Sequence, residues 1–297
     1  MARQPSTLRM RRLGAQLRRV RTERGLTLEE ACVLLKVSKS ALQRMESAHV
    51  IVRRPMVEYM LGKYGVTDAD FIRAMDGLAS GGRSSAWIRR NRNLVPEGRP
   101  REAAMLLLDS SRVRTYHPDR FHGLLQTPDY ARAILASPRN KDAAALERGV
   151  AYRMARKEPL HRGKPVELEM IVGEAAIRQH FGGPAVMAQQ LRHLAEAMQW
   201  PNVQIRIVPF TALRNPALDG GFDLLDVELG DFTVAVLDSF TRVTYLEEDQ
   251  EIAKYEALFD ELLLVTLSLD ETRSMIEHAV TEFEALARGE DDGLAKE

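Results

Sequence analysis

A single cysteine, Cys32, stands among the 297 residues. One thiol excludes an internal disulfide and any zinc site built on clustered cysteines. It points to a reducing, cytoplasmic compartment, with Cys32 itself a packing residue. Long apolar runs are missing as well: none reaches the roughly 20 residues needed to span a bilayer, and no hydrophobic segment follows the basic start, so a soluble protein with no membrane partner is expected. Catalytic signatures are equally scarce. His117, His122, His161, His180, His193 and His278 lack metal-ligand spacing such as HExxH and read as surface or packing side chains. Gly182-Gly183 and Gly220-Gly221 lack the Lys-Ser/Thr that completes a phosphate loop, and Glu167 with Glu169 reads as the wet face of a strand rather than an acid–base pair. The expectation is no catalytic residue, no metal, no cofactor and no enzyme.

Net charge is absent too, with 42 basic residues against 42 acidic ones. That zero conceals a division. Residues 1–100 hold 20 Lys+Arg and 9 Asp+Glu, which leaves 22 and 33 for the remainder. Neutralising phosphates and releasing their counterions requires a local basic surface, whatever the global balance. The first third of the chain is placed to supply it, and the acidic remainder is expected to face away from nucleic acid. The length suits two domains, and 45% hydrophobic residues suffice for a proper core.

What is present is concentrated between Thr27 and Glu46, TLEEACVLLKVSKSALQRME. Thr27 precedes Glu30 by three residues, the capping-box spacing in which hydroxyl and carboxylate each satisfy an orphan backbone N–H, so a helix starts at Leu28. Leu28, Ala31, Leu34 and Leu35 repeat at helical spacing and give it one apolar face. The pattern breaks at Lys36-Val37-Ser38, where Val37 plugs the gap and Ser38 is a second N-cap. A second helix runs from Lys39, with Ala41, Leu42 and Met45 inward and Lys39, Ser40, Gln43 and Arg44 outward. Those four side chains can hydrogen-bond to base edges or phosphates. A plain αα-hairpin in a helical core is the competing reading. It sits poorly with an outer surface that carries cations and amides and no acid until Glu46, since a merely solvated helix mixes signs.

The pattern resembles the Cro/repressor-type (XRE) helix-turn-helix family over about the first quarter of the chain. The resemblance is carried by Arg21, Gly25-Leu26-Thr27, Glu30-Ala31, Val37-Ser38, Ser40, Leu42 and Arg44-Met45-Glu46. In that family the second helix lies in the major groove and the first crosses the backbone. The resemblance implies Thr27, Ser38, Lys39, Ser40, Gln43 and Arg44 as DNA-binding residues, with Lys39, Ser40, Gln43 and Arg44 as base readers. It also implies an internal ion pair between Arg21 and Glu46. Two departures stand out. A Gly is common where Lys36 stands, which bears on the shape of the turn, and a polar residue is common where Leu28 stands, which removes a DNA contact.

Around this stretch the sequence predicts a five-helix bundle over residues 1–80. Met1 to Met10 reads as a flexible arm whose Arg3 and Arg9, with Arg11 and Arg12 beyond, either touch phosphates or a minor groove or form a solvated basic tail. Leu13, Leu17 and Val20 share the face of the first helix, which Gly25 stops. Arg53 and Arg54 precede Pro55 at a helix start; they are either phosphate contacts or an ordinary exposed pair. Met56, Val57, Met60 and Leu61 carry the fourth helix, and Asp68 caps the fifth. Residues 81–100 read as a basic linker, a Gly/Ser joint through Ser85 followed by an irregular stretch from Trp87 to Pro100.

Residues 101–290 alternate helical and strand patterns and predict an α+β domain with a mixed or antiparallel sheet, ahead of a charged tail over 291–297. Strands are expected at Arg112 to Tyr116, Val166 to Val172, Val203 to Val208, and on both sides of a Gly230-Asp231 hairpin turn. Helices are expected after Thr127-Pro128-Asp129, through Ala143 to Lys157, after Gly182-Gly183-Pro184, and in two closing segments. Met187 and Met198 read as core rather than as a pocket lining. Tyr116-His117-Pro118, Gly123-Leu124-Leu125-Gln126-Thr127, Tyr130-Ala131, Gly182 to Met187, Pro201-Asn202-Val203 and Val208-Pro209-Phe210 occur in this order. As a set they resemble the C-terminal domain of actinobacterial antitoxin-like regulators of the WhiJ type, with a departure at Phe121-His122, where a Val-Pro pair is more typical.

Together these readings imply a cytoplasmic, sequence-specific DNA-binding transcriptional regulator. As a homodimer it would place two reading helices in successive major grooves, roughly 34 Å apart, on an inverted-repeat operator. The alternative is an antitoxin-like interaction protein whose C-terminal domain binds a small partner protein or an effector. A third reading, an enzyme over residues 101–290, would require a clustered acid, base and nucleophile.

Overall fold

The computed structural model describes residues 7–80, 82–95, 99–136, 142–228, 232–239 and 242–294. These divide into two units: Met1–Arg90 with Gly98–Asp109 and Val227–Phe232, and Asn91–Glu97 with Ser110–Asp226 and Thr233–Glu297.

The first unit is helical: α1 (Leu8–Glu23), α2 (Leu28–Leu35), α3 (Lys39–Glu46), α4 (Arg54–Lys63), α5 (Ala69–Ser80), α6 (Gly82–Arg90) and α7 (Arg99–Asp109). Its core is the set of apolar stripes facing inward, with Leu8, Leu17, Ala31, Leu42, Val57 and Met60 all fully buried. The hydroxyl of Thr7 caps α1, accepting from Met10 N at 3.3 Å, and Asp68 caps α5 through the amides of Asp70 and Phe71. Gly25 and Gly65, both with positive φ, end α1 and α4 in the left-handed conformation that glycine adopts without steric cost.

The segment read as a linker is structured where it is described. Residues 82–90 form α6, and α7 starts at Arg99 with Pro100 in its first turn, where a missing N–H costs nothing. Trp87 is buried. Asp109, at the end of α7, gathers three groups: the Ser84 amide at 3.0 Å, the Ser84 hydroxyl at 2.8 Å and the Arg9 guanidinium. The Gly/Ser composition misled because Ser84 is a buried hydrogen-bonding residue, not solvated chain. Gly81 and residues 96–98 lie outside the described residues, as do Arg3 and most of the proposed N-terminal arm.

In the second unit the elements run β1 (Ser110–His117), α8 (Pro128–Leu135), α9 (Ala143–Ala155), β2 (Glu167–Gly173), α10 (Ala175–Arg178), α11 (Pro184–Ala197), β3 (Val203–Val208), β4 (Phe222–Val227), β5 (Phe232–Asp238), β6 (Val243–Leu246), α12 (Asp249–Leu263) and α13 (Leu269–Leu294). The sheet is mixed, in the order β3-β2-β1-β4-β5-β6. β1, β2 and β3 are parallel neighbours, and β5 with β6 is antiparallel. This is an α+β domain. The short strand β6 has no counterpart in the sequence reading, and α13 continues through the stretch read as the start of a tail. The proposed Gly230-Asp231 turn and residues 295–297 lie outside the described residues.

Strand alternation assigns the two faces of this sheet. Tyr116, Ile171, Val208, Phe222 and Leu224 share a core with Ile252, Phe259 and Leu262 of α12. The opposite face carries Val113, Thr115 and His117 of β1, in register with Leu168, Met170 and Val172 of β2. Asp223, one residue out of phase with Phe222 and Leu224, belongs to this second face, and Thr115 donates its hydroxyl hydrogen to it at 2.5 Å.

Candidate nucleic-acid interface

The α2–α3 unit is fixed from both ends. Thr27 and Glu30 form a reciprocal capping box, with Glu30 N donating to Thr27 Oγ1 at 3.2 Å and Thr27 N to Glu30 Oε2 at 2.8 Å. Those hydrogen bonds, backbone first and then hydroxyl, hold the Glu30 carboxyl below its ordinary range. α2 then ends on Lys36, whose φ of 55° is left-handed. The residue that takes this glycine-favoured conformation is a lysine, and it bears a steric cost of about 1–2 kcal/mol. Ala48, after α3, adopts the same conformation at φ 56°. Ser38 caps α3, accepting from Ala41 N at 3.2 Å.

Beneath α3 lies its anchor. Arg21 Nε and Nη2 donate to the two carboxylate oxygens of Glu46 at 2.6 and 2.9 Å, and Nη1 donates to the Leu26 carbonyl at 2.8 Å. Both side chains are buried, and the hydrogen bonds to Glu46 hold the guanidinium pKa above its ordinary value despite burial. Removing one partner of such a pair costs about 3–5 kcal/mol, because the other charge is left buried and alone. Burial, reinforced by Glu46, also pushes the nearby Tyr64 phenol up to about 12. Gly14 of α1 completes the anchor: a Cβ there would lie 2.6 Å from the Glu46 carbonyl oxygen and 2.8 Å from that of Met45. Only a glycine lets the end of α3 approach α1 this closely.

The outer face of α3 presents Lys39, Ser40, Gln43 and Arg44, all exposed. Their surroundings differ. Among the described residues, Gln43 and Arg44 have no side-chain hydrogen bond or ion pair. The ammonium of Lys39 is bonded to the Glu29 carboxylate of α2, an interaction that raises the lysine pKa and lowers that of the glutamate. The hydroxyl of Ser40 lies 3.2 Å from that of Ser38, and those of Thr27 and Ser38 are engaged in capping. Arg53 is exposed before α4 and, among the described residues, without a side-chain partner. Arg54 is different: its Nε donates to Glu58 at 2.8 Å, and its Nη2 sits 3.3 Å from Asp76 of α5. A phosphate contact by Arg54 would therefore compete with two carboxylates, as one by Lys39 would compete with Glu29. Arg9 and Arg12 are likewise structural, the first bonded to Asp109 and Ser84 and the second stacked on the Phe232 ring at 5.0 Å.

Comparison with known protein families agrees with this geometry in part. A helix-turn-helix domain model matches residues 12–72, and a model described as a domain of unknown function (DUF5753) matches residues 101–278, more than half of the chain. The chain belongs to the DUF5753 family. No curated protein and no solved structure matches it. This DUF5753 protein thus carries, ahead of its family domain, a helix-turn-helix domain of the kind found in DNA-binding regulators. No helix among the described residues is long and apolar enough to cross a membrane.

The α+β domain holds a cluster that reading the histidines one at a time missed. His117 and His122 stack with their ring centroids 6.0 Å apart, and both lie against Asp223. The spacing of His117 and Thr115 on alternate positions of one strand was the available signal. Asp223 lies more than a hundred residues away in sequence, with nothing to tie it to them. Glu169 pairs with Arg112 on the other face of the sheet, and Met187 is core.

Proposed function

We propose that this protein is a cytoplasmic, sequence-specific transcriptional regulator of the Cro/repressor (XRE) type that binds an inverted-repeat operator as a homodimer. The observation that carries the reading is the α3 surface, where Gln43 and Arg44 stand exposed and, among the described residues, without a side-chain partner, on a helix braced from behind by Arg21, Glu46 and Gly14. Arg44 is the residue suited to a guanine edge, where its fork can donate to both O6 and N7. Ser40 and Gln43 supply further donors and acceptors. Lys39 contributes once it exchanges Glu29 for a phosphate or a base, and Arg53 steadies the domain on the backbone.

The reading of the second domain follows its resemblance to WhiJ-type antitoxin-like regulators: a module that controls or dimerises the first and acts by binding rather than by catalysis. Two hydroxyls near the His117–His122 pair support this. Thr115 donates to Asp223 and Ser239 to the Arg242 carbonyl, so neither is aligned with an imidazole base. The decisive experiment is genome-wide mapping of DNA bound by the protein in its native host. Discrete sites sharing one two-fold motif support the proposal, and uniform or absent enrichment refutes it.

A second reading, an interaction protein that holds a small partner, is favoured by the segment between β3 and β4, where Phe210, Leu213 and Leu218 are largely exposed. Co-purification from the host with a stoichiometric small protein, lost when these three residues are replaced by Ser, would support it.

A further inference from the structure

On the sheet face opposite α12, the second unit contains a cavity of about 560 Å³, within the range of small-molecule sites. Its floor is the Asp223 carboxylate, which takes the Thr115 hydroxyl at 2.5 Å and lies 3.2 Å from His117 Nε2, with His122 Nε2 at 3.9 Å. Burial works to raise the Asp223 carboxyl, but the adjoining imidazoles and the Thr115 hydroxyl outweigh it and hold it well below the usual range. The His122 Nδ1 accepts from Leu124 N at 3.4 Å, which leaves the ring proton on Nε2, toward Asp223. Burial and the neighbouring cations lower this imidazole to about 4, so it is neutral. The Asp223 carboxylate is thus held by the Thr115 hydroxyl and the His117 imidazole, and no arginine among the described residues lies within 4.0 Å of it.

The sign of the cavity is set by Arg120, Arg153 and Arg156, which line it together. Arg153 donates to the Gln126 side-chain oxygen at 2.6 Å, and Gln126 is itself aimed by its bond to the Phe121 carbonyl at 2.6 Å. Neither Arg153 nor Arg156 has a carboxylate within 4.0 Å among the described residues, and the Nε of Arg156 is buried without a hydrogen-bond partner. Burial, then the adjacent charges of Arg156 and Arg120, lower Arg153 to about 10. Asp238 is the remaining acid of the lining, an exposed residue at the rim. Two half-buried guanidinium groups lining one cavity, neither with a carboxylate within 4.0 Å among the described residues, repel each other, and a bound oxyanion relieves that repulsion while accepting their forked N–H groups.

We propose that this cavity binds a small molecule through a phosphate or carboxylate group held by Arg153 and Arg156, with Arg120 at the mouth. The site belongs to the DUF5753 domain and does not depend on the DNA-binding reading.

Isothermal titration of the full-length protein at constant ionic strength tests it, with inorganic phosphate, pyrophosphate and citrate as separate probes. The expected result is saturable binding of at least one probe at one site per chain. Preference for the phosphates or for citrate then identifies the oxyanion. Arg156→Gln and Arg153→Gln should each weaken it at least tenfold, whereas Arg192→Gln, an equal loss of charge at a distant ion pair with Glu284, should leave it unchanged. Should Arg153→Gln fail to fold, Arg120→Gln serves, with an expected loss of roughly threefold to tenfold at the partly exposed mouth. No saturable binding of any probe, or equal weakening by Arg192→Gln, overturns the proposal.

Discussion

Lys39, the first residue of α3, is ion-paired with Glu29 of α2. The pair places a carboxylate on the surface that would face phosphates, so a nucleic acid must compete with Glu29 for this cation. Both side chains are more than half exposed, and the contact is screened by salt. Glu29→Gln should strengthen duplex binding by roughly threefold at low salt and steepen its salt dependence by about one counterion. Fluorescence anisotropy over a salt series reads both quantities, and an unchanged slope would show that Lys39 does not reach the backbone.

Arg53 and Arg54 are neighbours in sequence with opposite expectations. Arg53→Ala should weaken all duplexes alike and reduce the salt slope by about one. Arg54, already bound by Glu58 and Asp76, should leave the slope unchanged when replaced by Ala. If the two substitutions lower the slope equally, Arg54 releases its carboxylates on binding and contacts the backbone as Arg53 does.

Gly14 is predicted to be intolerant. Gly14→Ala puts a methyl group 2.6 Å from a backbone carbonyl that cannot swing aside as a side chain would, so α3 must shift away from α1. The expected cost is about 1–3 kcal/mol by chemical denaturation, together with weaker DNA binding. An alanine variant of native stability would mean that α1 and α3 are not in the described contact.

The buried imidazole of His122 gives the second unit a pH dependence of definite sign. Its folded pKa, about 4, lies below the unfolded value near 6.5, so between these limits the unfolded chain binds the extra proton. Stability from this group is complete above pH 6.5 and is lost as the pH falls toward 4, at up to about 1.4 kcal/mol per pH unit. Melting curves between pH 7 and 4 should show a shallower decline for His122→Asn than for the parent. Parallel declines would assign the acid sensitivity elsewhere.

The sequence showed most of this through local rules. Capping at Thr27, Ser38 and Thr127, helical periodicity around Leu42, and alternation from Val203 to Ile207 each depend on a few adjacent residues, and the corresponding elements are in place. What was hidden depends on distance. The Lys39–Glu29 pair, the hold of Asp109 on Ser84 and Arg9, and the meeting of His117, His122 and Asp223 join residues whose partners only the folded chain supplies. Composition misled at α6, where glycine, serine and arginine suggested a joint while Trp87 and Ser84 were being buried. The strand β6, four half-buried residues, was too short for alternation to declare itself.

The account rests on Arg44 reading a base from the surface of α3. Selection of bound duplexes from a random pool tests this directly, run in parallel for the parent protein and Arg44→Ala. The account predicts that the parent enriches a two-fold motif with half-sites about one helical turn apart, and that the variant loses discrimination at one base pair of each half-site by about 1–3 kcal/mol while keeping the rest. An identical motif of identical strength from both proteins, or none from the parent, would contradict it.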